Sequence, residues 1–159
     1  MVYILAPERD EDPTGAFERY ADYLRCASAR FPPGALGLAT SDWYFDSSDH
    51  RAPHDAWLQS ASFIEQGGGE RAASRTVALQ LRLLGAYHDL ELEFYYARVF
   101  AYEFRGSSIE MGHGDWRYDE FRVDDQGRLI HEIQWCGQNE RTSWLICAED
   151  VAFTTRQVG

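Results

Sequence analysis

The sequence contains no lysine, and this absence shapes its charge. All 15 basic residues are arginines, against 26 aspartates and glutamates, so the formal net charge is −11. A negative field repels the phosphates of nucleic acids, which argues against nucleic acid as a ligand. It favours a basic protein partner, because a negative surface speeds the encounter with a positive one. A plainer interpretation, in which acidity only keeps the protein soluble, stays open.

Cysteine is scarce and long apolar segments are missing. The three cysteines are an odd number without a CxxC spacing, which is typical of free thiols in a reducing compartment. No apolar run approaches the roughly 18 residues that a membrane-spanning helix needs. The short apolar stretch after Met1 has no basic residue before it and does not fit a signal peptide. We therefore expect a cytoplasmic protein without membrane association.

The short motifs that mark most catalytic and cofactor sites are also missing. The chain has no GxSxG, no P-loop, no GxGxxG and no paired CxxC. The sequence therefore contains no recognisable catalytic nucleophile and no recognisable cofactor-binding motif. We expect a protein that is not an enzyme and that carries no cofactor.

A length of 159 residues suits one domain that spans the whole chain and buries a core without disulfides or metal. One amphipathic helix is predicted at residues 13–31. Asp12 can cap it, Pro13 takes its first position, and the Pro32-Pro33 pair ends it. The apolar residues at helical spacing are Phe17, Tyr20, Ala21, Leu24, Ala27 and Phe31.

From about residue 36 to residue 155 the pattern is that of antiparallel strands. A first strand is predicted over residues 35–45, and the clearest alternation lies at residues 75–84. Residues 90–104 are expected to form one strand with a bulge near residues 97–99. Residues 142–155 are expected to form a last strand, bent near Glu149-Asp150.

The segment at residues 116–136 predicts a hairpin, followed by a turn at residues 137–141. A loop is expected over residues 105–115. The elements together predict an α+β fold with about six or seven mostly antiparallel strands. The sheet is expected to be strongly curved, or a sandwich, with the N-terminal helix against a face or an edge.

Four of the five histidines have an acidic neighbour in the sequence. Such a pair can be half of a catalytic or metal site. For His88-Asp89, which follows Gly85, turn chemistry is the favoured interpretation. A metal or ligand site would need the loops to converge at one end of the sheet. Its residues would be His54, Asp55, His88 and Asp89.

The strand pattern around His131 places this histidine on one side with Leu129, Ile133 and Trp135, while Glu132 faces the other way. His131 and Glu132 therefore cannot form a dyad within the strand. The favoured interpretation is a hydrogen-bonded core or edge residue. A ligand or catalytic role for His131 stays open.

Two segments, TSDWYFDSSDH and MGHGDWRYDEF, combine aromatic residues with carboxylates. Such combinations suit a basic protein with exposed arginine or lysine, because aromatics supply buried anchors and carboxylates supply pairing. Aromatics that simply pack the core are the alternative. If both loops emerge on the same side of the sheet, the partner-binding surface comprises Asp42, Trp43, Asp46, Asp49, Asp115, Trp116, Asp119 and Glu120.

Two short motifs are followed by strands: HDAWL at residues 54–58 and LLGAYHDL at residues 83–90, the second leading into an aromatic-rich strand. This order resembles that of small bacterial immunity proteins of polymorphic toxin systems and of related uncharacterised bacterial domains. The resemblance covers about residues 54–150 and carries over no catalytic residues. It implies an acidic cytoplasmic protein that binds and neutralises a cognate toxin. The alternatives are a small metal- or ligand-binding domain on the His-Asp pairs, with or without enzymatic activity, and an adaptor domain without a toxin partner.

Overall fold

A computed structural model describes residues 1–106, 109–137 and 140–159. Within these ranges two α-helices precede eight strands. Helix α1 spans Pro13–Ala27 and helix α2 spans Pro33–Ala39, with a 3₁₀ turn at Ser28–Arg30 between them. In the described part of the chain, no helix combines the length and the apolar character needed to cross a membrane.

Helix α1 begins as the sequence predicts. Asp12 accepts a hydrogen bond from the backbone N–H of Gly15 at 3.0 Å, and Pro13 takes the first position. The helix buries Tyr20 and Leu24 and ends at Ala27. The predicted helix at residues 13–31 is therefore confirmed as far as Ala27, and the 3₁₀ turn continues it.

Helix α2 lies where the first strand was predicted, and that part of the prediction is wrong. The carboxylate of Asp150 accepts hydrogen bonds from the backbone N–H groups of Gly34 and Ala35, each at 2.9 Å. These N–H groups belong to the first turn of α2, which has no partners for them within the helix. A residue more than 110 positions away therefore caps the helix, and local alternation could not reveal it.

The eight strands form one antiparallel sheet in the order β4-β7-β6-β5-β1-β2-β3-β8. Their bounds are β1 Trp57–Gly68, β2 Ser74–Leu84, β3 Leu90–Tyr96, β4 Val99–Phe104, β5 Asp115–Val123, β6 Leu129–Cys136, β7 Arg141–Ala148 and β8 Val151–Gln157. The α+β class and the antiparallel sheet are confirmed. The number of strands is larger than the predicted six or seven.

Two segments that were predicted as single strands each divide into two. The first becomes β3, which pairs with β2 and β8, and β4, which pairs with β7 at the far edge. The second becomes β7 and β8, which lie in different halves of the sheet. Alternation predicts which residues are extended but not which strand they pair with. The predicted loop at 105–115 and turn at 137–141 fall partly outside the described residues, at 107–108 and 138–139.

The sheet folds onto itself at the junction of β5 and β1. Among the described residues these strands share one pair, Trp57 with Asp115. Phe94 of β3 stacks on Trp116 of β5 with ring centroids 5.1 Å apart, although two other strands lie between β3 and β5 in the sheet. The halves β4-β7-β6-β5 and β1-β2-β3-β8 therefore face each other across a shared core.

Because β1 leaves β5 after this pair, the remaining edge of β5 needs other hydrogen-bond partners. The hydroxyl of Tyr20 accepts from the N–H of Phe121 at 2.8 Å and donates to its carbonyl at 2.9 Å. The N–H of Val123 donates to the hydroxyl of Tyr23 at 2.9 Å. Two tyrosines of α1 thus take the place of a neighbouring strand.

We expect Tyr20→Phe to lower the free energy of unfolding by about 2–3 kcal/mol, because it leaves a buried N–H and a buried carbonyl of Phe121 without their partner. Urea unfolding followed by circular dichroism measures the change. Tyr102→Phe, at an exposed position on β4, is the matched control and should leave stability unchanged. Equal transition midpoints for Tyr20→Phe and wild type would contradict the role of the hydroxyl.

Candidate functional site

Three residues of the predicted partner-binding surface are buried. Trp116, Asp119 and Glu120 have no more than 3% of their surface exposed. The inner face of β5 packs against β3, and the carboxylate of Glu120 binds the N-terminal segment through the backbone N–H of Ile4 at 2.7 Å. The structure therefore corrects the assignment of these three residues to a contact surface.

Asp119 is the centre of a buried hydrogen-bond network instead. One of its oxygens contacts the hydroxyl of Tyr44 at 2.7 Å and Nε2 of His131 at 2.7 Å, and the other accepts from the indole N–H of Trp116 at 3.0 Å. The hydroxyl of Tyr96 lies 2.7 Å from Nδ1 of His131. The interpretation of His131 as a hydrogen-bonded core residue is confirmed.

The protons in this network can be assigned from the donors available. Burial, with the Asp119 carboxylate as the next cause, raises the pKa of Tyr44 and of Tyr96 well above the usual value, so both phenols keep their protons. If Tyr96 donates to Nδ1 of His131, the Nε2–H of the same ring donates to Asp119. In this arrangement of protons every polar group of the network has a partner.

Tyr44 connects this network to the segment that joins α2 to β1. We call residues 41–56 the acidic loop, because it contains four aspartates and one basic residue, Arg51. Tyr44 is buried within it, and Trp43 packs on Phe153 of β8 at 5.3 Å. Asp42 and Asp46 are exposed and Asp49 is half-buried. The loop is thus held from inside by aromatic residues and presents its carboxylates outward.

Local hydrogen bonds lower the pKa of two of these carboxylates, those of Asp46 and Asp49. Asp46 accepts from the N–H and the hydroxyl of Ser48, which lowers the pKa of Asp46. Asp49 accepts from the side chain of Arg51 at 2.8 and 2.9 Å and from its backbone N–H at 2.9 Å. The bond from the Arg51 side chain is the largest cause that lowers the pKa of Asp49 to about 2.

The turn between β2 and β3 packs against the acidic loop. Nδ1 of His50 lies 2.6 Å from a carboxylate oxygen of Asp89, and the ring of His50 stacks on Tyr87 with centroids 4.0 Å apart. The N–H of His88 donates to the carbonyl of Gly85 at 2.9 Å, which confirms that the His88-Asp89 pair lies in a turn. The side chain of Asp89, however, pairs with a histidine 39 residues earlier rather than with its neighbour.

Two large aromatic side chains are half exposed beside these groups: Trp57 is 51% exposed and Tyr87 is 49% exposed. The ring of His88 meets Trp57 edge-on at 4.8 Å, and Asp115 pairs with Trp57 across the strands. We call this region the acidic-aromatic surface. It comprises Asp42, Asp46, Asp49, His50, His54, Asp55, Trp57, Tyr87, His88 and Asp89, with Asp115 at its margin.

The sequence analysis missed Trp57, Tyr87 and His50 as members of a surface. Their signal was present, because Trp57 and Tyr87 each lie beside a His-Asp pair, in HDAWL and AYHD, and His50 is itself half of the pair Asp49-His50. The sequence pattern predicted metal ligands at the His-Asp pairs, and it placed the aromatic residues beside them in strands or turns.

The four residues of the metal hypothesis are not brought together as one ligand set. Nδ1 of His54 lies 3.2 Å from Asp55, which also pairs with Arg117 at 3.3 Å. His88 contacts Trp57, and Asp89 contacts His50. Across residues 1–106, 109–137 and 140–159, no group of three or more histidines, cysteines or acidic residues could hold a metal ion.

The backbone of the acidic-aromatic surface is strained at two positions. Asp55 and His88 have φ values of 62° and 60°, in the left-handed region that non-glycine residues rarely adopt. Each such residue costs about 1–2 kcal/mol, so the surrounding structure must hold it in place. Strain of this kind concentrates at functional sites, and among the described non-glycine residues the same conformation occurs at Arg71 and Ala72 between β1 and β2.

A cleft of about 770 Å³ lies at the start of β5 and is lined in part by Asp115, Arg117, Cys136 and Arg141. Its charges have both signs, and both arginines already pair with aspartates, Arg117 with Asp55 and Arg141 with Asp10. The cleft therefore shows no preference for a ligand of one charge.

Comparison of the chain with protein-family models, with curated proteins and with solved structures finds no match. The resemblance to immunity proteins therefore stays a prediction that depends on the residues that suggested it.

We expect Asp119→Asn to lower the free energy of unfolding by about 3 kcal/mol, because the amide turns one acceptor into a donor that faces other donors. Urea unfolding measures the loss. Asp125→Asn, an exposed position in the turn between β5 and β6, is the matched control. A midpoint like that of wild type would show that the network does not need the charge at position 119.

We expect Arg51→Gln to raise the pKa of Asp49 from about 2 towards its ordinary value of 3.8, because the substitution removes the largest cause of the shift. NMR titration of the aspartate carboxyl carbons measures it. Arg25→Gln, a distant arginine that pairs with Asp22, should leave the Asp49 titration unchanged. An Asp49 midpoint unaffected by Arg51→Gln would assign the shift to other groups.

Proposed function

We propose that this protein binds a basic protein partner through the acidic-aromatic surface, as an immunity protein that neutralises a cognate bacterial toxin. The observation that carries the proposal is the placement of two half-exposed aromatic side chains, Trp57 and Tyr87, among aspartates at one end of the sheet. Binding, rather than catalysis, is the proposed activity.

The charge of this surface favours a cationic partner. The acidic loop contributes Asp42, Asp46, Asp49 and Asp55, the β2–β3 turn contributes Asp89, and Arg51 is the single basic residue in these two segments. An excess of carboxylates attracts a basic protein over a distance and rejects acidic proteins and nucleic acids. The formal net charge of −11 acts in the same direction.

The aromatic residues supply the anchors that such an interface needs. Tryptophan and tyrosine are the residues most often responsible for binding energy at interfaces. Trp57 is held by the ring of His88, and Tyr87 is held by the stacked ring of His50 and by a hydrogen bond to the carbonyl of Ser47 at 3.2 Å. Side chains that are already ordered lose little conformational entropy on binding.

The cysteines support the proposed location. All three, which lie in the described ranges, are free thiols. Free thiols persist in reducing compartments, so we infer a cytoplasmic location, where an immunity protein would meet its toxin.

The test is affinity capture with the purified chain as bait on a lysate of the native host. We expect a retained basic protein that is released as salt rises from about 50 mM to about 500 mM, because salt screens exposed charges. The retained protein is then purified and its Kd is measured directly. Trp57→Ala should weaken binding by about 30-fold, and Asp46→Arg should weaken it and reduce its salt dependence.

The matched controls lie on β4, in the other half of the sheet. Tyr102→Ala removes an aromatic residue that is 54% exposed, and Glu103→Arg reverses an exposed charge. Both should bind as wild type does. Equal losses for the control and test variants, or no loss with Trp57→Ala, would place the interface elsewhere. A separate growth assay identifies the captured partner: if its expression stops cell growth and co-expression of this protein restores growth, the partner is a toxin.

A further inference from the structure

Three of the five histidines belong to the acidic-aromatic surface, and each contacts a carboxylate or an aromatic ring there. They are His50, His54 and His88. Histidine is the side chain that most readily changes charge between about pH 5 and pH 8. The charge of this surface can therefore change under mild conditions.

His50 faces groups from two elements. Its Nδ1 meets Asp89 of the β2–β3 turn at 2.6 Å, its ring stacks on Tyr87, and the charge of His50 acts on Asp49 of the acidic loop. A protonated His50 donates a charge-assisted hydrogen bond to Asp89. That bond takes the Asp89 carboxylate away from a basic partner.

His54 faces Asp55 of the acidic loop and Tyr118 of β5. Its Nδ1 lies 3.2 Å from Asp55, and its ring meets Tyr118 at 5.6 Å. Asp55 also pairs with Arg117 at 3.3 Å. Protonation of His54 therefore gives Asp55 a second cation and reduces what it offers to a partner.

His88 meets Trp57 edge-on at 4.8 Å. A cation near a tryptophan ring is attracted to its π electrons. A protonated His88 therefore competes with an arginine or lysine of the partner for the same anchor.

We propose that acidification weakens the binding of a basic partner at the acidic-aromatic surface, through protonation of His50, His54 and His88. This inference rests on the proposed function. Up to three positive charges are added to a surface that carries five aspartates, at positions 42, 46, 49, 55 and 89. The attraction for a cationic partner falls accordingly.

Two of the carboxylates, those of Asp46 and Asp49, do not contribute to such a change. The pKa values of Asp46 and Asp49 are lowered, that of Asp49 to about 2, so both stay ionised at pH 5.5. We assign the change to the three histidines, because histidine is the side chain that most readily changes charge in that range.

The test uses a fluorescein-labelled peptide of nine arginines as a defined cationic probe. Its binding to the full chain is measured by fluorescence anisotropy at pH 7.5 and pH 5.5, at one low ionic strength. We expect the Kd to rise by about tenfold at pH 5.5. Near-ultraviolet circular dichroism at both pH values confirms that the protein stays folded.

The test variant carries His50→Asn, His54→Asn and His88→Asn together. An asparagine amide can replace Nδ1 of His50 and His54, and asparagine tolerates the left-handed backbone at position 88. The ratio of its Kd values at the two pH values should fall below about twofold. The control is His113→Asn, outside the surface, which should keep the wild-type ratio.

The outcomes separate this inference from the proposed function. A wild-type Kd that is equal at both pH values overturns the inference and leaves the proposed function standing. A ratio in the triple variant equal to that of wild type also overturns it, because the pH dependence then comes from other groups. Failure of the peptide to bind at pH 7.5 overturns the inference and the electrostatic basis of the proposed function together.

Discussion

The carboxylate of Asp119 is the point on which the rest of the structure depends. It binds Tyr44 of the acidic loop, Trp116 of β5 and His131 of β6, and through His131 it reaches Tyr96 of β3. Burial of a carboxylate is costly, and the three donors that converge on it offset that cost. The acidic loop and the half of the sheet that contains β5 and β6 supply the groups that contact this carboxylate, and the other half joins the network through the contact of Tyr96 with His131.

Sequence patterns predicted the elements whose partners are near in the chain. The hairpin of β5 and β6 and the inward face of His131 follow from alternation, and α1 follows from its helical spacing and its cap at Asp12. The failures all depended on distant residues. Asp150 caps α2 across the fold, and two-residue connections at 97–98 and 149–150 carry the chain from one half of the sheet to the other. The alternation of polar and apolar residues depends on near neighbours, so it predicts neither the cap at Asp150 nor these two connections.

The residues of the candidate site show the same difference between features that depend on near neighbours and features that depend on distant residues. Asp42, Asp46 and Asp49 lie outward, as a polar loop predicts. The exposure of two tryptophans differs from the prediction. Trp116 was expected at the surface and is buried, whereas Trp57 was not predicted as a surface residue and is half exposed. Both have an acidic residue close by in the sequence, Asp115 before Trp116 and Asp55 before Trp57. Which of them faces solvent is decided by the fold of the sheet at their junction, where β1 and β5 share a single pair among the described residues.

The buried Tyr44 and the outward aspartates of the acidic loop have different physical requirements. The hydroxyl of Tyr44 needs one acceptor at one position, since the core has no room for a second arrangement. The outward aspartates need only to stay ionised, and neighbours within the loop, Ser48 and Arg51, accomplish that locally. The outer residues can therefore change to match a partner without loss of the fold. In the proposed complex, the fixed anchor means that binding orders little of the loop, so more of the contact energy between protein and partner remains as affinity.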